Sequence, residues 1–248
     1  MSKLKSNFGY IIFLAIFGLV GGYFTALYSI ETLSAEMLEE TIAQVGSIDM
    51  LILITVLQSL FYSVVLGLIG KILAEKIGLW KPIVIESKPL VVTVIVSIIA
   101  GAILILGDYF IFGSLNDLIK ESYNAKPTLN YILASITYGG VVEEVMHRLF
   151  LMSLVAFLIQ KLTKSPEVKP VHLLIANVVA AILFAAAHLP ATIVTLGIDA
   201  LIIARCFLLN GGFGLIFGLL YRKYGIQYAM IAHAGFHIVS KLIWILFI

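Results

Sequence analysis

Seven apolar runs, each long enough to cross a lipid bilayer as a helix, set what this chain can fold into. They fall near 8–30, 50–74, 89–112, 130–160, 171–188, 198–221 and 226–248. A crossing helix takes roughly 20 mostly apolar residues, because the hydrocarbon layer is about 30 Å thick. Inside lipid the backbone has no water to bond, so each run must satisfy its own N–H and C=O groups as a helix. Only 12% of the 248 residues are charged and 61% are hydrophobic, where a soluble domain carries about a quarter charged. The fold expected is therefore an all-α polytopic transmembrane bundle, one domain over 1–248, with seven spans. An eighth short or re-entrant piece is allowed around Pro190 to Asp199. The same pattern excludes a water-soluble α/β enzyme, a disordered chain and a disulfide scaffold. The single Cys206 cannot form an internal disulfide, and a net charge of +2 gives no reason to expect a nucleic-acid partner.

The run from Phe8 to Tyr28, preceded by Lys3 and Lys5, is too long for the core of a typical signal peptide and is read as the first permanent span. Residues 31–49 are acidic, with apolar Leu33, Met37 and Ile42 at helical spacing, which suits either a surface amphipathic helix or a solvated extension of its neighbours. Basic residues sit in alternate loops: Lys71 to Lys88, Lys161 to Lys169, and Arg222 with Lys223. The other loops hold acids, among them Asp108, Asp117 and Glu121. With seven spans every basic loop lies on one face, so the positive-inside rule puts the N-terminus in the cytoplasm of a cell with this chain in its plasma membrane.

Ionisable groups at membrane depth cost several kcal/mol, so each is a functional candidate. The fourth run carries Glu143, Glu144, His147 and Arg148 within six residues. Glu144 and Arg148 are i,i+4 neighbours that can neutralise each other, and Glu143 stands in the same relation to His147. One carboxylate is thereby locked and the other left for chemistry. The fifth run reaches His188 after three alanines, and the last carries His233 and His237 on one helix face. Plainer roles are assigned elsewhere. Lys241 is expected to snorkel to the interface, Asp199 and Arg205 to be interfacial, and His172 to be wetted. The glycine pairs 139–140 and 211–212, with Gly214 and Gly218, suit helix packing.

Glu143-Glu144-x-x-x-Arg148, Phe184-x-x-x-His188 and His233-x-x-x-His237, in that order on successive runs, resemble the CPBP family of intramembrane proteases. That family comprises the CAAX proteases and bacteriocin-processing enzymes, also called Abi. The resemblance covers about residues 130–240. His237 stands where the family usually has Asn, and Leu149 where it often has Gly.

The resemblance implies hydrolysis of a peptide bond in a membrane-associated peptide or protein. Such a reaction needs an activated water and a group that stabilises the developing oxyanion. Glu143 is assigned as the base, with His188 on the same water, Glu144 and Arg148 orienting, and His233 with His237 at the oxyanion. A zinc version would draw ligands from Glu143, His188, His233 and His237, and the additional imidazole of His237 favours it. Two readings from other classes stay open: a non-catalytic immunity or scaffold protein of the same fold, and a small proton- or ion-coupled transporter.

Overall fold

A computed structural model describes residues 2–248, with side chains from Phe8 onward. The side chains of Lys3 and Lys5, counted above among the inner charges, lie outside the described residues. Helix α1 spans Ser2–Thr32, and the short α2 (Ala35–Val45) follows, capped by Ser34 and burying no residue. Helix α3 is Ile48–Lys76 and α4 is Ser87–Leu115. The five-residue α5 (Asp117–Glu121) is capped by Asn116. Helix α6 runs through 129–162, α7 is Pro170–Leu196, α8 is Ala200–Tyr224 and α9 is Ile226–Phe247.

Six of these helices, α1, α3, α4, α7, α8 and α9, are long and apolar enough to cross a membrane. With α6, which holds the charged residues, they match the seven apolar runs, except that α7 continues eight residues past the expected end at His188. The acidic stretch 31–49 contributes α2 as a surface helix. No eighth piece forms around Pro190. Helix α7 continues through that proline to Leu196, and α8 begins at Ala200 behind the Asp199 cap, whose carboxylate accepts from the Ile202 N–H at 2.8 Å. Proline lacks an N–H, yet neighbouring helices let a membrane helix pass through it.

Small residues bring the helices together, as expected where lipid supplies little hydrophobic drive between them. A Cβ added at Gly22 would lie 2.8 Å from the Val56 Cα, and one at Gly101 would lie 2.7 Å from the Phe236 carbonyl. At Gly140 the added atom would stand 2.7 Å from the Ala234 Cβ, which seats α6 directly on α9. Gly225, at a φ of +115° that side chains rarely adopt, turns the chain from α8 into α9 within one residue.

The two ends of the bundle are tied separately. At the basic end, Gln227 Nε2 donates to the carbonyls of Pro82 at 3.1 Å and Val84 at 3.2 Å. At the other end, Thr128 and Asn130 donate to the Glu31 carboxylate at 2.7 and 2.6 Å, and the Trp244 indole donates to the Tyr123 carbonyl at 3.2 Å. The basic loops therefore share one face and the acidic loops the other.

Candidate functional site

Helix α6 is not an ordinary α-helix at its centre. Wide π-type turns occupy Ser135–Glu143 and Val145–Met152, a form often found where helices carry function. The adjacent carboxylates Glu143 and Glu144 diverge from this segment into different surroundings.

Glu144 is wholly buried. Its Oε1 lies 3.2 Å from Arg148 Nη1 on its own helix and 2.9 Å from His233 Nδ1 on α9. The Arg148 contact is close enough for an ion pair but lacks hydrogen-bond alignment, and Glu144 Oε2 with both Arg148 terminal nitrogens makes no hydrogen bond. The guanidinium is covered instead by aromatic rings, 4.4 Å from Phe184 and 5.7 Å from Phe217, which suits a weakly hydrated planar cation. A Cβ at Gly214 would stand 2.7 Å from Arg148 Nη2, so the glycine makes room for the arginine.

Glu143 faces a cavity of about 670 Å³. Its side chain is 16% exposed and that of His188 is 32%, and His188 Nε2 lies 3.8 Å from Glu143 Oε1. The gap is too long for a direct hydrogen bond and suits a bridging water. The His188 Nδ1 donates to the Phe184 carbonyl at 2.9 Å. A carbonyl only accepts, so the neutral ring carries its proton on Nδ1 and offers a bare Nε2.

His147 does not pair with the Glu143 carboxylate as its spacing suggested. Its Nδ1 donates to the Glu143 backbone carbonyl at 3.0 Å, and its ring packs on Phe184 at 5.0 Å. Phe184 also contacts His188 at 4.6 Å and His233 at 5.9 Å, making it the hub on which the site side chains rest. His233 and His237 stack at 4.8 Å, and His233 stacks on Phe217 at 4.5 Å. A Cβ at Gly139 would lie 3.2 Å from His237 Nε2 and 3.8 Å from Glu143 Oε2. This glycine leaves open the space between those two groups.

All six residues singled out from the motifs therefore meet across α6, α7 and α9. Several other assignments change. Lys241 does not snorkel: it is 4% exposed and lines the cavity, its Nζ 3.3 Å from His237 Nδ1 and 4.2 Å from the centre of the Tyr131 ring. Arg205 is no interfacial charge either. It forms a two-point pair with Asp108, each contact 2.5 Å, and Tyr123 donates its hydroxyl to the same carboxylate at 2.5 Å. Its place as the one cation of the apolar run 198–221 is the signal in the sequence for Arg205. His172 is buried rather than wetted, its Nδ1 accepting from the Lys169 N–H at 3.2 Å. Burial beside Asp108 raises the Tyr123 phenol above its ordinary value.

Among the described residues no three His, Cys, Asp or Glu side chains form a group that could hold a metal ion. Glu143, His188, His233 and His237, the set considered for zinc, meet at the cavity without converging as ligands.

From Glu143 the cavity extends past Tyr28, Tyr123, Leu196 and Trp244, which belong to the acidic end of the bundle. A larger hollow of about 1040 Å³ lies on the other side of α6, lined by Tyr10, Trp80 and Ile231. Its charged side chains are Lys71 and Glu75, which pair with each other at 2.6 Å.

Residues 125–239 match the model of a protein family described as Type II CAAX prenyl endopeptidase Rce1-like. The match spans all three motifs and bears out the resemblance to the CPBP proteases. No curated protein and no solved structure matches the chain.

Proposed function

Because residues 125–239 match that endopeptidase family, we propose that this integral membrane protein hydrolyses a peptide bond in a membrane-associated peptide or protein, with Glu143 as the base. The observation that carries this reading is the unequal treatment of two neighbouring carboxylates. Glu144 is enclosed between an arginine and a histidine, whereas Glu143 faces the cavity opposite a bare imidazole nitrogen.

A water between Glu143 and His188 Nε2 gives one hydrogen bond to each. Glu143 takes a proton as the water oxygen attacks the substrate carbonyl carbon, and returns it to the departing amine. General-base assistance of this kind contributes about 10²–10⁴ in rate. His233 and His237 face the carbonyl oxygen as charge builds on it. Glu144 and Arg148 touch no reacting atom; they hold His233 in place. No step needs a metal.

The cavity reaches the acidic end of the bundle. With the basic loops inside, the N-terminus is cytoplasmic and the substrate segment approaches from the outer side of the plasma membrane. The test is cleavage of a membrane-peptide library in detergent by wild type, Glu143→Ala and His188→Ala. Cutting by wild type alone is expected. Cutting by Glu143→Ala at the wild-type rate would end the assignment, and ion flux in liposomes without cleavage would replace it with a transporter.

A further inference from the structure

Lys241 is a buried amine that the scheme above leaves unused. Among the described residues no carboxylate forms an ion pair with it. Its neighbours are the face of Tyr131 on α6 and the Nδ1 of His237 on α9, one turn back. An ammonium has only donors to offer, and the Tyr131 ring favours the charged form. Held as an ammonium, Lys241 makes the His237 Nδ1 that meets it the accepting nitrogen, so the neutral ring carries its proton on Nε2.

His233 is held the opposite way. Its Nδ1 meets Glu144 Oε1 at 2.9 Å, and a carboxylate paired with Arg148 can only accept. The proton of His233 is therefore on Nδ1, and its Nε2 is bare.

We propose that Lys241 is a positioning residue that fixes the tautomer of His237, so that the stacked imidazoles of α9 have opposite characters: His233 an acceptor, His237 a donor at Nε2. The donor borders the space cleared by Gly139, next to Glu143 Oε2. That is where a carbonyl oxygen attacked by a Glu143-activated water would develop charge. The oxyanion role, shared between both histidines above, then falls to His237. This last step rests on the proteolytic reading; the tautomers themselves do not.

The full chain in detergent, labelled with ¹⁵N in its histidine rings, tests this directly, because ring nitrogen shifts report which atom holds the proton. Signals are assigned with His233→Gln and His237→Gln. In the wild type, His237 should be protonated at Nε2 and His233 at Nδ1. Lys241→Met, which keeps the bulk, should move His237 towards the Nδ1 form and leave His233 unchanged. It should also lower kcat by up to about a hundredfold, the scale of losing one oxyanion donor, with KM little altered. Lys241→Arg should restore the Nε2–H signal and part of kcat. A wild-type His237 protonated at Nδ1, or an unchanged His237 in Lys241→Met, would overturn the proposal. Tautomers as expected in a protein that cleaves nothing would uphold it and remove the protease reading instead.

Discussion

Glu144 on α6 and His233 on α9, 89 positions apart in the chain, meet at 2.9 Å with both side chains buried. This contact joins the charged helix to the histidine helix, and Arg148 makes the carboxylate an acceptor. Removing the carboxylate would strand a buried guanidinium, which costs about 3–5 kcal/mol. Glu144→Ala should therefore lower unfolding stability in detergent by that order, whereas Glu143→Gln should lose activity with its melting temperature nearly unchanged. Equal melting temperatures for the two variants would contradict the division of labour between them.

Gly214 and Gly212 provide a matched pair of substitutions. A Cβ at Gly214 meets Arg148 Nη2 at 2.7 Å, while one at Gly212 meets nothing within 4 Å. Overpacking costs about 1–3 kcal/mol, so Gly214→Ala should lose stability on that scale and reduce activity. Gly212→Ala should behave like the wild type in both assays.

The zinc question has a direct measurement. With no three-ligand group among the described residues, the purified protein is expected to stay active after chelation, with zinc far below one ion per chain. Loss of cleavage on chelation, restored by zinc alone, would return the metal version.

Asp108, Arg205 and Tyr123 close a network beside the cavity at the acidic end. Tyr123→Phe removes one hydrogen bond to a charged partner, worth about 1.5–3 kcal/mol, and leaves the ion pair intact. The raised pKa of Tyr123 stabilises its neutral form in the fold. Its contribution is complete below the ordinary phenol value of about 10 and is lost as pH rises through the higher folded value. Alkaline unfolding curves of wild type and Tyr123→Phe should therefore converge at high pH. Curves that stay parallel would argue against this coupling.

The direction of the cavity can be read by labelling. Ile198 is exposed in the turn between α7 and α8, and Glu167 is exposed in the basic loop before α7. In intact cells a membrane-impermeant thiol reagent should modify Ile198→Cys, and reach Glu167→Cys only after permeabilisation. The reverse pattern would turn the molecule over and open the cavity to the cytoplasm.

The helices were legible because their cause is local. Bilayer thickness sets their length, and each backbone bonds within its own run. The α7 boundary was misread at His188, since Pro190 looks like a terminator until neighbouring helices are there to support the chain through it. Lys241 was misread for a related reason. Its closeness to a helix end suggests an escape to the interface, but Tyr131 of α6 covers it.

By itself the sequence determined that the chain is a bundle of membrane helices, and it picked out Glu143, Glu144, Arg148, His188, His233 and His237 as charges and imidazoles that lipid would not tolerate without a reason. It could not say which of two adjacent glutamates would be enclosed and which would face open space. Nor could it pair Asp108 with Arg205, or Lys241 with His237 and Tyr131. Those outcomes depend on the rotation of each helix about its axis and on how near its neighbours come, quantities fixed where Gly140 meets Ala234 and Gly214 makes way for Arg148.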